Sequence, residues 1–437
     1  MLSVKVTNAL CNMQCTYCYE HIYRSKINQR AFDLEAIKRQ IGNENDAPYL
    51  HGGEALLAPI QVLEELFAIS YQKTGYSSIQ TNGTLITDKH IELFKKYNTQ
   101  VGISIDGPGD LGKYRRTIDG QPTADMVMDN IRWLRKEGVH VGIICVLTKA
   151  NALPEQRERF KDWVRELKAL GVTGRMNPAE IDYPSLQKIA LTPEELEDFY
   201  RDMTRFVLTE IGGDWLPYRD AVDSLLGLNQ GTCVFGECDY YYASAERVIL
   251  SDGTTASCMK TAKTGHVYPR YQNAGQRGFA KIRYEVLPKI EQESGGCQGC
   301  RYWRNCTGGC PAEGIDGDWR NKTRFCKAYC ALFEETEQIL RCVLPNITLT
   351  TDLPDEYFPE ANSVRGMAVP SFRYMIGGAE GSVRPSSWRK DAKQLNVPQD
   401  PPTCRSREDY QSARIPGDHG DRPHGDRPHG DHGDLNL

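Results

Sequence analysis

The chain has 437 residues, 40% of them apolar and 25% charged, with a formal net charge of −5. This balance suits a soluble globular protein of two domains, or of one large domain with an appendage. The acidic surplus excludes general binding to nucleic acid, which needs a basic surface, and no run approaches the ~20 apolar residues of a membrane span. The 15 cysteines are the outlying number. Three fall between 11 and 18 and nine between 233 and 330, and clustering of that kind in a long chain without a secretion signal points to metal rather than disulfides.

The first ~210 residues alternate short β-rich runs with amphipathic stretches. Strands are expected at Leu2–Thr7, Pro48–His51, Ser77–Gln80, Gln100–Ile105, His140–Leu147 and Val172–Met176. Between them the helical period appears at Gln61–Tyr71, Thr87–Tyr97, Met126–Glu137 and Glu155–Leu170. Thr192–Leu208 opens with Thr-Pro-Glu-Glu, which places an N-cap and a proline at the first helical position. Strands alternating with helices imply βα units and a parallel sheet. Six units are too few for a closed eight-fold barrel, so a partial barrel or a doubly wound sheet remains. In both, the working face lies at the C-terminal ends of the strands. The first strand starts at residue 2 with no signal peptide before it, so a cytoplasmic location is expected, without an N-terminal peptide-recognition domain.

From about 233 to 330 cysteine, glycine and aromatic residues rise and the periodicity weakens. Metal would organise such a segment. A helix follows at Ala328–Val343. Residues 346–437 turn Pro-, Ser-, Arg- and Asp-rich and end in a His/Asp/Gly repeat, so 405–437 is expected to be disordered. The division is then 1–210, a bridging region at 211–232, a cysteine-rich domain at 233–345 and an extended tail at 346–437.

Directly after the first strand stands Cys11-Asn-Met-Gln-Cys15-Thr-Tyr-Cys18. Three thiolates at this spacing can curl around one cubane and leave one iron open to a chelating substrate. A three-ligand zinc site is the plainer alternative, with His21 near enough to serve as a fourth ligand. Further motifs follow at strand ends: Gly52-Gly53-Glu54, Gln80-Thr-Asn82-Gly, Ser104-Ile-Asp106-Gly, and then Tyr114-Arg115.

Together these resemble the radical S-adenosylmethionine (SAM) superfamily and imply a partial (β/α)6 barrel. The resemblance makes Cys11, Cys15 and Cys18 the ligands of a [4Fe–4S] cluster whose open iron binds the amino and carboxylate groups of SAM. It puts Tyr17, Gly52, Gly53, Glu54, Gln80, Asn82, Ser104, Asp106 and Arg115 at the SAM site. Glu54 would face the SAM ammonium and Arg115 its carboxylate. Many relatives carry a His-Asp pair just before the Tyr-Arg step, and here Leu111-Gly112-Lys113 stands instead.

The second cysteine set runs Cys233, Cys238, Gly253, Cys258, then Cys297-x2-Cys300-x5-Cys306-x3-Cys310, then Cys326 and Cys330. In order and spacing it resembles the SPASM extension of radical SAM enzymes. By that resemblance one auxiliary [4Fe–4S] cluster takes Cys233, Cys238, Cys258 and Cys310. The other takes Cys297, Cys300 and Cys306 with Cys326 or, failing that, Cys330, giving three clusters in all. Structural zincs are the alternative for the set, and Cys145, Cys342 and Cys404 read as core or incidental thiols.

The SPASM branch mostly modifies ribosomally made peptides. The resemblance therefore implies a precursor-peptide partner, an electron donor such as a flavodoxin or ferredoxin, and a crosslink or related modification as product. Formylglycine formation in sulfatases and a small-molecule dehydrogenase are the alternatives.

Overall fold

The computed structural model describes residues 1–18, 20, 32–180, 186–228, 233–235, 238, 246–256, 258–262 and 283–353. Tyr19, His21, the side chain of Cys233, Cys404 and the tail from 354 onward, including the expected disorder at 405–437, lie outside these residues.

Six parallel strands form the core: β1 (Leu2–Lys5), β2 (Pro48–His51), β3 (Ser78–Thr81), β4 (Gln100–Ser104), β5 (His140–Leu147) and β6 (Thr173–Pro178). They lie side by side in chain order, each paired in parallel with the next. After β1 comes α1 (Leu34–Gly42), after β2 α2 (Ile60–Thr74), after β3 α3 (Asp88–Lys96), after β4 α4 (Ala124–Lys136), after β5 α5 (Arg157–Ala169) and after β6 α6 (Pro193–Phe206). This is the expected six-fold βα repeat of a partial barrel.

The two faces of the sheet differ in chemistry because successive side chains point to opposite sides. Val4, Leu50, Ile79, Val101, Ile103, Val141, Ile143 and Cys145 are all buried in one apolar cluster with residues of the helices. The register sets the other face in rows: Lys5 beside His51, Ser3 beside Tyr49, Gln80 beside Gly102, and Ser104 beside Ile144. That face is largely polar, with Ser3, Lys5 and Gln80 buried and Tyr49, His51 and Ser104 half-buried.

The sheet continues past β1. A short hairpin, β7 (Arg247–Ile249) and β8 (Thr255–Ala256), adds a parallel strand against β1 and an antiparallel one at the edge. A segment from the cysteine-rich region thus belongs to the same sheet. These strands of three and two residues are too short to show a period in the sequence. So is the helix α7 (Tyr218–Leu225), which falls in the expected bridging region.

The expected helices form with their starts shifted by one or two residues, and α1 is an addition to them. In α6 the Thr192 hydroxyl accepts from Glu195 N at 3.1 Å and Glu195 Oε2 accepts from Thr192 N at 2.8 Å, a reciprocal cap. Two short helices, α8 (Met259–Ala262) and α9 (Trp303–Cys306), precede α10 (Cys326–Val343). This last helix packs on α6 and α7. Phe235 meets Tyr329 and Phe333 edge-on at 5.0 and 5.2 Å, and Arg205 pairs with the buried Glu335 at 2.7 Å. Among the described residues no helix is long and apolar enough to cross a membrane.

Candidate active site

The loop after β1 is held from three sides. Cys18 N donates to Cys15 O at 3.1 Å and curls the loop. Gln14 N and Thr16 N donate to the carbonyls of Arg116 and Tyr114 at 2.8 and 3.0 Å, so residues 13–17 run against 114–117. Beneath, Gly53 N and Glu54 N donate to Asn8 O and Leu10 O at 2.6 and 2.8 Å.

The two glycines of the Gly-Gly-Glu motif permit that approach. A Cβ on Gly53 would stand 2.6 Å from the carbonyl carbon and oxygen of Ala9, and one on Gly52 would strike the Thr7 hydroxyl.

Cys11, Cys15 and Cys18 all remain partly accessible. Burial pushes the Cys15 thiol up to about 11, with Arg115 opposing and Cys18, Asp106 and Cys11 adding to the rise. Metal binding at such a loop displaces protons. Among the described residues no three His, Cys, Asp or Glu side chains close on a single metal ion. A cubane asks less of them, because its thiolates each bind a different iron. An all-thiol set on a loop closed by backbone hydrogen bonds fits such a cluster.

The other motif residues meet around this loop, mostly through contacts with one another. The Glu54 carboxylate is buried and hydrogen-bonded at both oxygens: Oε1 accepts from Thr81 Oγ1 at 2.6 Å and Leu56 N at 2.9 Å, and Oε2 from Asn82 N at 2.6 Å. It braces β2 to β3. Asn82 Nδ2 donates to Asn12 Oδ1 at 2.8 Å and lies 3.7 Å from Cys11 Sγ, tying β3 to the cysteine loop.

Asp106, 2% exposed, accepts from Val146 N at 2.8 Å and from the Tyr17 hydroxyl. Arg115 Nε lies 3.1 Å from its Oδ2, and the guanidinium stands 5.4 Å from the centre of the Tyr17 ring. Arg115, expected at a SAM carboxylate, is thus paired within the protein, as is the Glu54 carboxylate.

The polar face of the sheet carries residues that the motifs did not single out. The Tyr49 hydroxyl donates to Gln80 Oε1 at 2.7 Å, and Gln80 Nε2 to Ser104 Oγ at 2.9 Å, a chain across β2, β3 and β4. At its other end lie Lys5, ion-paired with Glu20, and Ser3, whose hydroxyl donates to Glu246 Oε1 at 2.8 Å. Glu246 Oε2 also accepts from Met259 N at 3.1 Å, next to Cys258. The signal was present as period-two alternation: Ser3/Lys5, Tyr49/His51 and Arg175/Asn177 share the face opposite the apolar residues.

The second cysteine set divides. Cys297, Cys300, Cys306, Cys326 and Cys330 line one small cavity with Trp303, Gly308, Lys322 and Thr323. Thiol–thiol contacts link Cys330 to Cys300 and Cys326, drawing the Cys300 and Cys326 thiols down and pushing that of Cys330 up. Burial pushes the Cys297 thiol up to about 12. Five thiols around one hollow fit a four-iron cluster with one to spare.

A charged knot lies close in the chain to Cys258 and Cys310. Lys260 pairs with Glu313 and, at 3.3 Å, with Glu180 at the end of β6. Arg324 lies 3.4 Å from Glu313. Cys238 is partly accessible. Cys145 is a buried core thiol, and Cys342, expected as an incidental thiol, is disulfide-bonded.

Comparison with known proteins agrees with this geometry. The radical SAM superfamily model matches residues 6–173. The chain is 26% identical over 376 residues to a serine-type anaerobic sulfatase-maturating enzyme of Bacteroides thetaiotaomicron, covering 76% of this chain and 88% of that protein. It is 25% identical over 361 residues to a cysteine-type anaerobic sulfatase-maturating enzyme of Clostridium novyi, covering 76% and 94%. Two solved structures share the fold. "Native anSMEcpe with bound AdoMet" has a TM-score of 0.62 at 22% identity, over 79% of this chain and 99% of that one. "Native anSMEcpe with bound AdoMet and Cp18Cys peptide" has 0.61 at 21%, over 79% and 98%. Residues 6–173 are therefore a radical SAM domain, the kind of domain that works with a [4Fe–4S] cluster and SAM, and they make the chain an enzyme.

Proposed function

We propose that the protein is a peptide-modifying radical SAM enzyme with three [4Fe–4S] clusters. The observation that carries this reading is the convergence of Cys297, Cys300, Cys306, Cys326 and Cys330 on one cavity, in a part of the chain beyond the SAM-binding domain. The alignment with enzymes named for maturing sulfatases extends over 76% of the chain, and a solved relative holds a peptide together with SAM.

In this reading Cys11, Cys15 and Cys18 hold the SAM cluster. When bound, that cluster and SAM supply a 5′-deoxyadenosyl radical that takes hydrogen from the substrate. The chain's own residues shape the place where this happens. Gly52 and Gly53 let β2 close on the cysteine loop. Glu54 and Asn82 fix the loop to β3, while Asp106, Arg115 and Tyr17 fix it to β4. Gln80 and Ser104 line the polar face with Tyr49, where they orient cofactor and substrate through hydrogen bonds.

Cys233, Cys238, Cys258 and Cys310 hold the first auxiliary cluster, and Cys297, Cys300, Cys306 and Cys326 the second. The working division is a SAM domain at 1–210, a bridge at 211–232, an auxiliary-cluster domain at 233–345 and a tail at 346–437. Thiol-held clusters suit a reducing cytoplasm, with a flavodoxin or ferredoxin as electron donor.

The substrate is a ribosomally made precursor peptide, oxidised at a side chain to a crosslink. A second reading, formylglycine formation on a sulfatase serine or cysteine, is favoured by the names of the aligned relatives.

The test is anaerobic reconstitution, with iron, sulfide and deoxyadenosine measured after reduction with SAM. About twelve irons per chain and released deoxyadenosine support three clusters. Few irons and no SAM cleavage reject the reading. Candidate peptides then separate the two products: an aldehyde-reactive residue identifies formylglycine, and a fragment-resistant loop in mass spectrometry identifies a crosslink.

A further inference from the structure

Two basic side chains of the cysteine-rich region are buried without a carboxylate among the described residues. Arg283 is 2% exposed. Its guanidinium donates to four main-chain carbonyls: Nε to Trp319 at 3.1 Å, Nη1 to Thr307 at 3.0 Å, and Nη2 to Gly308 and Asn321 at 2.8 and 3.1 Å. Lys322 is 8% exposed, and its Nζ donates to Gln292 O at 2.7 Å.

Neighbouring cations are treated differently. Lys260 meets Glu180 and Glu313, and Arg301 and Arg341 both meet Glu337. Carbonyl oxygens solvate a cation, but they do not cancel its charge. Burying an uncompensated ion costs several kcal/mol. A fold that buries two of them side by side calls for an anion that protein residues do not supply.

The anion has a place. Lys322 lines the cavity formed by Cys297, Cys300, Cys306, Cys326 and Cys330. Gly308 lines it too, and Arg283 Nη2 stands 3.1 Å from where a Cβ on Gly308 would be. Arg283 is also near enough to act on Cys297, Cys306 and Cys310, and Lys322 on Cys297, Cys300 and Cys326. Four thiolates around an oxidised four-iron core carry a net double negative charge, and one-electron reduction adds a third.

We propose that Arg283 and Lys322 are the counter-charges of the second auxiliary cluster and set its reduction potential. This rests on the reading of Cys297, Cys300, Cys306 and Cys326 as its ligands. A fixed positive charge beside the cluster favours the more negative, reduced state. Removing it lowers the potential.

Lys322 gives the cleaner probe, because its ammonium makes one carbonyl contact where Arg283 makes four. In the full-length reconstituted enzyme, iron and sulfide per chain are measured, together with the midpoint of each auxiliary cluster in a redox titration followed by electron paramagnetic resonance. Lys322→Met should keep its iron and shift one auxiliary midpoint downward by about tenfold in the reduction equilibrium, which is about 59 mV for one electron. Lys322→Arg should return the midpoint toward the parent value. A role limited to knitting loops would lower thermal stability and leave the midpoint in place.

A loaded Lys322→Met protein with the parent midpoints overturns the proposal. If Lys322→Met fails to load, loading by Lys322→Arg supports the proposal, and failure of both overturns it. If the parent enzyme itself holds only two clusters, the ligand reading falls, and the counter-charge falls with it for that separate reason.

Discussion

Arg115 Nε lies 3.1 Å from Asp106 Oδ2, and the Tyr17 hydroxyl donates to that same oxygen. Tyr17 sits between Cys15 and Cys18, Asp106 at the end of β4 and Arg115 on the strand-like run that pairs with the cysteine loop. One carboxylate therefore fixes the loop's position relative to the sheet. Its other oxygen accepts from Val146 N at 2.8 Å, which adds β5 to the clamp.

Removing the carboxylate leaves a buried guanidinium unpaired, which costs about 3–5 kcal/mol. Asp106→Ala should lower the unfolding free energy by that amount and reduce iron loading at the first site. Tyr17→Phe removes one hydrogen bond and should cost about 1 kcal/mol, with iron retained. Urea unfolding of the metal-free protein and iron analysis of the reconstituted protein check both. Equal, small effects from the two substitutions would show that Asp106 is not the clamp.

The glycine contact makes a second prediction. Gly53→Ala brings a Cβ to 2.6 Å from the Ala9 carbonyl, which is main chain and cannot rotate away. The strand end must part from the cysteine loop, at a cost of about 1–3 kcal/mol, and SAM cleavage should fall with it. Gly42→Ala, at the end of α1 with nothing within 4 Å of its Cβ, is the control and should leave cleavage unchanged and stability unharmed or slightly raised.

How far the sequence foretold this arrangement depends on the kind of information. β2 and β5 begin and end where the alternation of residues says, since burial of every second side chain leaves its mark in composition. The β7–β8 hairpin left none, because three and two residues cannot show a period. The Gly-Gly-Glu and Ser-Ile-Asp-Gly motifs stand at strand ends, and Glu54 and Asp106 also hydrogen-bond across the neighbouring strands. A motif fixes residue types, whereas rotamers depend on donors such as Thr81, Leu56 N and Val146 N that no motif spells. Arg283 and Lys322 have no sequence signature at all. Their meaning lies in the absence of carboxylates around them among the described residues, which only the packing reveals.

His51 gives a pH dependence. Burial, with help from the charge of Lys5, lowers its imidazole from 6.5 to about 4. The unfolded chain therefore binds a proton more readily than the folded one between those values. Stability from this group is complete above about pH 6.5 and is lost as pH falls toward 4, by about 2 kcal/mol at pH 5. His51→Gln should flatten the stability curve of the metal-free protein between pH 7 and 5. Glu337, held at about 2 by Arg301, Arg341 and Tyr302 against the opposing effect of burial, acts at lower pH. Its contribution disappears only as pH falls from about 4.5 toward 2, so the two groups separate on the pH axis. Urea midpoints at pH 7, 5 and 3.5 resolve them, and an unchanged slope in His51→Gln between pH 7 and 5 would assign the loss to other groups.

Cys326 and Cys330 lie one turn apart on α10, and both reach the cavity that holds Cys297, Cys300 and Cys306. Four thiolates complete a cubane, so one of the five is surplus. Spacing alone cannot choose, because positions i and i+4 share a helix face. On the ligand reading proposed above, Cys326 completes the second auxiliary cluster and Cys330 is the spare thiol. Cys326→Ala should then lose about four irons per chain, while Cys330→Ala keeps the parent content and the parent visible spectrum. Loss in Cys330→Ala with retention in Cys326→Ala reverses the assignment. Retention in both single variants with loss in the double variant means that α10 offers two interchangeable ligands, and the cluster would then survive oxidation of either thiol alone.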